Sequence, residues 1–274
     1  MAVYAISDLH IGFGANRAGL EALAEHPDDW LIVAGDVGET LAHLEHALRV
    51  VTQRFARVLW VPGNHELWSL PGRDDGLKGE ARYQALVSVA RSLGVVTPED
   101  PYPVWSDSHE RFVIAPLFLL YDYSFRPDSV PLERAVAWAL EEDVLCADEM
   151  LLSPEPHASR AAWCAARCDE TERRLDAIDP EDRVVLVNHF PMHESTVVLP
   201  TVPRFRIWCG TRRTADWHVR YRAVAVVTGH LHIRRTTHID GVRFEEVSLG
   251  YPPQWRPELG VGSYLRRILP LSRD

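Results

Sequence analysis

The sequence has no apolar run long enough to cross a membrane, and it contains only one lysine. A membrane-spanning helix needs about 20 consecutive apolar residues, and no stretch of this chain approaches that length. Met1 leads directly into the apolar run at residues 3–6, without a basic leader or a cleavage site. We therefore expect a protein with no membrane partner and a cytoplasmic location.

Cysteine is also scarce, and the 4 cysteines do not have the spacing of a zinc site or a disulfide framework. Cys164 and Cys168 are separated by one helical turn rather than by the two residues of a C-x-x-C motif, and no second pair accompanies them. These thiols are therefore predicted to be free and buried.

Basic side chains are unevenly distributed along the acidic chain, whose net charge is -10. Residues 1–200 contain 16 basic and 33 acidic side chains, whereas residues 201–274 contain 13 and 6. A general nucleic-acid binder carries a basic surface over most of its domain, so a nucleic acid is not the expected partner. The basic C-terminal quarter still leaves room for a local anion-binding face.

Seven short segments have the composition of β-strands, and most of them are continuous apolar runs, as expected for strands buried on both faces. They lie at residues 2–6, 30–34, 58–61, 112–115, 184–188, 223–228 and 242–248. Between the second and third, apolar residues from Leu41 to Phe55 recur with helical spacing after a capping Thr40. The alternation of strands and helices predicts a layered α/β fold.

Residues 117–180 differ from the rest, because an aromatic loop there leads into about 45 helix-prone residues. Helices are expected at 135–150 and 158–178. No linker rich in glycine, serine or proline marks a boundary, so we predict a single domain over residues 1–274 with a helical insertion or cap at about 117–180. Such a cap favours a small-molecule substrate, because a covered site excludes large partners.

Polar side chains with metal-binding chemistry follow five of the predicted strands. They form the clusters Asp8-x-His10, Gly35-Asp36, Gly63-Asn64-His65-Glu66, Asn188-His189 and Gly229-His230-x-His232. The carboxyl ends of parallel strands meet at one edge of a sheet, so these clusters are expected to converge there. Each cluster alone is a weak signal, but the five together are specific.

The order, spacing and identity of these residues resemble the calcineurin-like metallophosphoesterase superfamily, and the match extends from Asp8 to His232. The resemblance implies an α/β (α+β type) fold, a four-layer αββα sandwich of two mixed β-sheets flanked by helices. It also implies two divalent metal ions. The first would be bound by Asp8, His10, Asp36 and His232, and the second by Asp36, Asn64, His189 and His230.

Two divalent ions that share Asp36 can also share one hydroxide, which then attacks phosphorus in line with the departing oxygen. The ligands are all nitrogen and oxygen, a set that suits several transition metals. Manganese is the favoured metal, with iron, zinc, nickel and cobalt as alternatives. Asp36 is predicted to bridge the two ions.

The histidine of G-N-H in the family faces the departing oxygen rather than a metal, so the resemblance makes His65 the general acid. Glu39 stands where a carboxylate orients that histidine and raises its pKa. The alternative is that Glu39 is an acidic residue favoured near a helix start. Glu66 is expected either to act behind the ligands or to cap the loop.

Substrate contacts are predicted mainly in the loop between His189 and His230. Its basic and aromatic residues suit a phosphate or a base, although the loop could equally be solvated with its tryptophans packed beneath it. The candidate contacts are His193, Arg204, Arg206, Arg212, Arg213 and Tyr121, with Trp208 or Trp217 as stacking platforms.

The function expected from this resemblance is metal-dependent hydrolysis of a phosphomonoester or phosphodiester, with a nucleotide-like small molecule favoured. Two alternatives remain open. One is a nuclease of the same superfamily, which the acidic charge balance disfavours. The other is a protein-binding scaffold without catalysis, which the complete set of predicted ligands disfavours.

Overall fold

The computed structural model describes residues 1–70, 72, 76–108 and 110–271, and its strands form two sheets. The first sheet contains β1 (Val3–Ile6), β2 (His26–Val33), β3 (Phe55–Trp60) and β10 (Arg266–Leu269), in the order β10-β1-β2-β3. Strands β1 to β3 run parallel, and β10 pairs antiparallel with β1, so the sheet is mixed.

The second sheet has six strands. They are β4 (Val104–Ser106), β5 (Arg111–Pro116), β6 (Arg183–Val187), β7 (Ala223–Thr228), β8 (Arg235–Ile239) and β9 (Val242–Glu246), in the order β4-β5-β6-β7-β9-β8. The four central strands are parallel, and the edge strands β4 and β8 are antiparallel to their neighbours.

The two sheets pack face to face, with helices on their outer faces. Successive side chains of a strand point to opposite faces, and in β2 the side chain of Ile32 packs between the sheets with Ile114 and Val185. Its neighbours Leu31 and Val33 belong instead to the cluster that the helices cover. This alternation confirms the predicted four-layer sandwich.

Helices α1 (Gly14–Glu21), α2 (Leu41–Thr52), α3 (Asn64–Leu67) and α4 (Gly79–Ser92) come from the first third of the chain. In α2 the Thr40 hydroxyl accepts a 3.1 Å hydrogen bond from the backbone N–H of His43, as the sequence predicts for the cap. The apolar face of α2 buries Leu44, Leu48 and Val51.

The insertion between β5 and β6 contains α5 (Ala135–Leu140), α6 (Asp148–Leu151) and α7 (Arg160–Asp176), and α8 (Trp217–Arg220) precedes β7. The single helix predicted at 135–150 is wrong, because the chain leaves helical geometry after Leu140. Asp143 has a φ of 56°, and the Val144 N–H donates to the Ala139 carbonyl, which is the hydrogen bond of a left-handed helix end. Because the helix ends at Leu140, residues 145–147 are not part of its face and can line a different surface.

Three short edge strands, β4, β8 and β10, have no counterpart in the sequence prediction. Strand β8 reads Arg-Thr-Thr-His-Ile and has no apolar face to reveal it. Its pairing with β9 is set by the turn at Asp240 and Gly241, whose φ angles of 50° and 78° are those of a two-residue hairpin. This Asp-Gly pair is the signal that sequence analysis could have used.

The prediction that the cysteines are free and buried is confirmed. All four cysteines are buried and unpaired. In the described part of the chain, no helix has both the length and the apolar character needed to cross a membrane.

Candidate metal centre

The five predicted clusters meet at the carboxyl ends of parallel strands of both sheets. Asp8 follows β1, Asp36 follows β2, and Asn64 and His65 begin α3 after β3. From the other sheet, His189 follows β6, and His230 and His232 follow β7. The sheets are joined at this edge, because the Ser7 N–H donates to the Val247 carbonyl and the Leu249 N–H donates to the Ser7 carbonyl.

Many of the clustered residues adopt a left-handed backbone conformation, which non-glycine residues rarely do. Such a residue costs about 1–3 kcal/mol and persists where the surroundings hold it in place. The φ angles are 53° for Asp8, 41° for His10, 53° for Asp36, 72° for His230 and 54° for His232. The strain accumulates at this one edge, which is typical of a functional site.

Two glycines of the clusters are required by close packing against carboxylates. A Cβ atom at Gly63 would overlap the Asp36 carboxylate, and one at Gly229 would overlap the carboxylate of Asp8. The Gly63 position also begins α3, so the chain can bring Asn64 and His65 directly over Asp36. The glycines before Asn64 and His230 are therefore a steric requirement.

The first group of donor atoms surrounds Asp8. The His232 Nε2 lies 3.0 Å from the Asp8 Oδ1 and 3.1 Å from the His10 Nε2. The His10 Nε2 also lies 4.0 Å from the Asp36 Oδ2, which places Asp36 at the border of this group. These residues are the four predicted ligands of the first ion.

The second group lies on the other side of Asp36. The His189 Nε2 is 3.4 Å from the Asp36 Oδ2, and the His230 Nδ1 is 3.2 Å from the Asn64 Oδ1. Asp36 thus contacts donors of both groups, which is the position required of a bridging ligand. The six carboxylate and imidazole side chains of the two groups are buried or nearly so.

The hydrogen bonds of the histidines show that the residues fit a pair of cations. The His189 Nδ1 donates to the Ala34 carbonyl at 2.8 Å, and the His232 Nδ1 pairs with the Gln254 Oε1 at 2.7 Å. In the neutral ring the Nε2 then carries a lone pair that faces a carboxylate, so this nitrogen can bind either a proton or a metal ion. A lone pair opposite a carboxylate is repulsive unless a cation lies between them.

The pKa values of the cluster reflect the same demand for positive charge. Burial lowers the pKa of His189 and His232, but Asp36 and Asp8 outweigh it and raise these values to about 10 and about 9. Burial dominates at His10 and His230, whose pKa values fall to about 4 and about 3. At neutral pH, protons therefore bind His189 and His232 but not His10 and His230, whereas metal ions would bind all four histidines.

His65 lies beside the cluster and contacts Asp36, Glu39 and a tryptophan. Its Nε2 is 3.8 Å from the Asp36 Oδ2, its Nδ1 is 3.5 Å from the Glu39 Oε1, and its ring lies 3.7 Å from the Trp68 ring. Burial opposes protonation, but Asp36 and the hydrogen bond with Glu39 raise the pKa of His65 above its ordinary value. The His65 and Glu39 side chains thus lie within ion-pair distance of each other.

Glu39 and Glu66 have different surroundings. The other Glu39 oxygen lies 3.6 Å from the His43 Nδ1, and the hydrogen bond with His65 lowers the pKa of Glu39. Glu66 is fully buried and accepts hydrogen bonds of 2.8–3.0 Å from the N–H groups of Asp36, Val37 and Gly63. Of the two roles expected for Glu66, these contacts favour loop capping, because Glu66 binds the backbone of the loops that carry the ligands.

Four further residues, which sequence analysis did not identify, contact the cluster. They are Trp68, Asp148, Tyr251 and Gln254. Trp68 lies one helical turn after His65, and Tyr251 and Gln254 follow the end of the last strand of the second sheet, so strand-end spacing could have revealed them. No local pattern marks Asp148, which comes from the insertion.

A cavity of about 330 Å³ opens over the cluster. Its polar wall consists of Asp36, Asn64, His65, His230 and His232, with Trp68, Tyr251 and Gln254 beside them. The remaining wall is mostly apolar and consists of residues 145–147 of the insertion together with Leu199, Val202, Phe205 and Leu231. A larger cavity of about 510 Å³, lined by parts of 69–78 and 149–154, contains none of the predicted ligands.

The four predicted substrate arginines do not line this cavity. Arg204 pairs with Glu141 and Glu142, and Arg206 pairs with Glu194. The other two have acidic partners as well: Arg212 contacts Asp128 and Glu194, and Arg213 contacts Asp169 and Glu172. These guanidinium groups attach the loop to neighbouring elements, chiefly the insertion, so the structure does not bring them to a phosphate at the cluster.

The remaining substrate candidates are also absent from the cavity wall. The His193 Nδ1 accepts from the Ser195 N–H at 3.2 Å, outside the cluster. Tyr121 is buried between the rings of Tyr123 and Phe190. Trp208 and Trp217 are buried, which agrees with the alternative in which the tryptophans of this loop pack beneath it.

Comparison with known proteins gives consistent results. The family model for calcineurin-like phosphoesterase matches residues 1–234. The acyl-carrier-protein phosphodiesterase PptH of Mycobacterium tuberculosis (strain ATCC 25618 / H37Rv) is 50% identical over 270 residues, which cover 98% of this chain and 83% of that protein. The crystal structure of phosphopantetheinyl hydrolase (PptH) from Mycobacterium tuberculosis matches with a TM-score of 0.94 at 50% identity, covering 98% of this chain and 96% of that chain.

Proposed function

The chain belongs to the calcineurin-like phosphoesterase family, and we propose that it hydrolyses the phosphodiester that joins a phosphopantetheinyl group to an acyl carrier protein. The chain is a hydrolase of phosphate esters. The observation that carries the proposed substrate is the likeness, over nearly the whole chain, to the carrier-protein phosphodiesterase. This proposal replaces the free small molecule expected from the sequence.

A protein-attached group is compatible with a recessed site if a flexible arm carries the reacting phosphorus. The insertion lines the cavity with residues 145–147, so a folded partner would remain outside while its arm enters. The expectation that a cap excludes large partners holds for the body of the partner and does not hold for the arm.

The residues proposed to bind two divalent ions are those whose donor atoms meet at the cluster. Asp8, His10 and His232 would bind the first, Asn64, His189 and His230 the second, and Asp36 both. When bound, such ions supply Lewis acidity at phosphorus and lower the pKa of water. Manganese is proposed as the metal; the donor set, which is entirely nitrogen and oxygen, accommodates it and also accommodates iron, zinc, nickel and cobalt.

His65 is proposed to donate a proton to the departing oxygen. An alkyl phosphodiester releases an alkoxide, which is a poor leaving group unless it is protonated. The Glu39 carboxylate faces the His65 Nδ1, so the Nε2 is the nitrogen directed toward Asp36 and the cavity. Glu39 therefore holds the ring and favours its protonated form.

The two alternatives from sequence analysis receive less support. A scaffold without catalysis has no need of seven converging donors and a carboxylate-histidine pair. A nuclease binds several phosphates along a strand, yet no lysine or arginine occurs among the described residues that line the cavity. The cytoplasmic location remains a prediction.

The proposed function can be tested with a carrier protein that bears phosphopantetheine. The purified chain, loaded with manganese, is incubated with this substrate, and intact-protein mass spectrometry follows the loss of the phosphopantetheinyl mass. His65→Gln and metal-free protein serve as controls. Hydrolysis of simple nitrophenyl phosphodiesters without any release from the carrier protein would contradict the proposed substrate while leaving the reaction class intact.

A further inference from the structure

We propose that the apolar wall of the cavity, which includes Leu145, Val202 and Phe205, is a subsite for the uncharged organic arm attached to the reacting phosphorus. The identity of that arm as a phosphopantetheinyl group rests on the proposed function. The subsite would select diesters with a long neutral arm over small diesters and over esters that carry a second phosphate.

The wall lies directly beside the predicted ligands. The Phe205 ring stacks against the His230 ring at a centroid distance of 5.9 Å, and Leu231 separates His230 from His232 in the chain. An arm attached to phosphorus at the cluster would therefore contact apolar side chains within its first few atoms. The cavity volume of about 330 Å³ is within the range of about 300–1,000 Å³ that is typical of small-molecule sites.

The charges around the wall exclude a second phosphate. Among the described lining residues, none is a lysine or an arginine, and the only carboxylate is the predicted ligand Asp36. A phosphate buried against uncharged side chains would lose its hydration without gaining a cationic partner. An uncharged, amide-containing arm loses less hydration free energy on burial, and it can contact the Gln254 carboxamide at the edge of the wall.

The arginines next to Phe205 hold the wall in place. Arg204 lies over the Trp138 ring at 4.6 Å and forms 2.9 Å ion pairs with Glu141 and Glu142 of the insertion. Arg206 forms a 2.8 Å ion pair with Glu194. Both guanidinium groups are thus directed to acidic partners, while the residue between them, Phe205, contributes its ring to the cavity.

The subsite can be tested with two substrates that share one leaving group. The first is the 4-nitrophenyl diester of phosphopantetheine, and the second is methyl 4-nitrophenyl phosphate, which lacks the arm. The measured quantity is the ratio of their kcat/KM values. We expect the wild-type ratio to favour the arm, and we expect Leu145→Gln and Val202→Asn each to lower it by about tenfold, since one polar substitution removes most of a buried apolar contact.

The same chain provides matched controls. Leu140 is 48% exposed against 45% for Leu145, and Val198 is 45% exposed against 40% for Val202. Leu140 and Val198 do not line this cavity, so Leu140→Gln and Val198→Asn should keep the wild-type ratio. Because all four side chains are partly exposed, the variants are expected to fold, and circular dichroism checks this directly.

The outcomes separate the subsite from the proposed function. Equal ratios in all four variants, or a wild-type ratio near one, would overturn the subsite. Failure to release phosphopantetheine from a carrier protein would overturn the proposed function, and the nitrophenyl pair would still decide the subsite. A ratio that is lowered only in the Leu145 and Val202 variants supports the subsite.

Discussion

The Asn64 carboxamide donates a 2.9 Å hydrogen bond from its Nδ2 to the Oδ1 of Asp148, a fully buried carboxylate in the insertion. The same oxygen accepts a 2.6 Å hydrogen bond from the Trp68 indole. With its nitrogen engaged, Asn64 presents its Oδ1 to His230. The helical insertion thus determines which atom of Asn64 faces the second predicted metal position.

Asp148→Ala should weaken binding of the second ion. The amide of Asn64 would lose the acceptor that orients it, and loss of such a partner behind a ligand lowers metal affinity by about 10–100-fold. Elemental analysis after dialysis should find one ion retained more strongly than the other.

Asp148→Asn is the matched control, because it keeps an oxygen where the Asn64 and Trp68 groups donate. We expect it to restore most of the second ion. Two tightly retained ions in Asp148→Ala would show that Asn64 needs no such orientation.

Asp36→Asn should deplete both ions, because Asp36 contacts donors of both groups. The amide retains one oxygen but removes the charge that the two ions would share. Metal content per chain is the measurement, with Glu66→Gln as a comparison that alters a nearby carboxylate outside the ligand set. Retention of two ions in Asp36→Asn is incompatible with a bridging role.

His65→Gln should keep both ions and slow hydrolysis most for alkyl esters. A general acid contributes about 10²–10⁴-fold for a leaving group that needs a proton, and much less for 4-nitrophenolate, which leaves without one. Comparison of kcat for an alkyl diester and a nitrophenyl diester measures this difference. An equal loss for the two esters would assign His65 a role other than proton donation.

Glu39→Gln should shift the alkaline limb of the pH-rate profile to lower pH. His65 must be protonated to act as an acid, so activity falls as pH rises through its pKa. Asp36 and Glu39 raise that pKa, and removal of the Glu39 charge lowers it again. The profile of kcat against pH gives the shift, and an unchanged limb would indicate that Glu39 does not act on His65.

Removal of metal should make stability depend on pH on the alkaline side of neutrality. His189 and His232 have pKa values raised from 6.5 to about 10 and about 9. Their contribution to the free energy of unfolding is therefore fully present below about pH 6.5 and is lost as pH rises toward 10. His10 and His230, with pKa values lowered to about 4 and about 3, destabilise the fold as pH falls below 6.5.

The measurement is Tm against pH for chelator-treated protein, with and without added manganese. The metal-free Tm should be highest near pH 6–7 and fall between pH 7 and 9. Bound ions neutralise Asp8 and Asp36 without protons, so the Tm of the metal-loaded protein should fall less over this pH range. A metal-free Tm that rises from pH 7 to 9 would contradict this account of the cluster.

The sandwich and the convergence of the clusters could be predicted because both depend on local signals. Apolar runs such as 184–188 indicate strands buried on both faces, and a residue directly after a parallel strand is delivered to the same edge wherever the strand lies in the sheet. His65 and Glu39 follow from the same spacing once the family resemblance supplies their roles.

The substrate contacts could not be predicted in this way. Arginine in a loop indicates affinity for anions, but the anion can be a phosphate or the protein's own carboxylate. Only the fold shows that Glu141 and Glu194 are within reach of Arg204 and Arg206. The helix prediction at 135–150 failed for a related reason, since the left-handed turn at Asp143 has no glycine to announce it.

The sequence by itself determined the layered fold and the identity of the clustered donors, because strand burial and strand-end position are encoded in neighbouring residues. The tertiary structure alone decided what surrounds those donors. Asp148 reaches Asn64 across 84 residues of chain, and Phe205, which lines the cavity, follows Arg204, whose acidic partners Glu141 and Glu142 belong to the insertion. Such contacts depend on how separate elements pack, and no local pattern of residues records that packing.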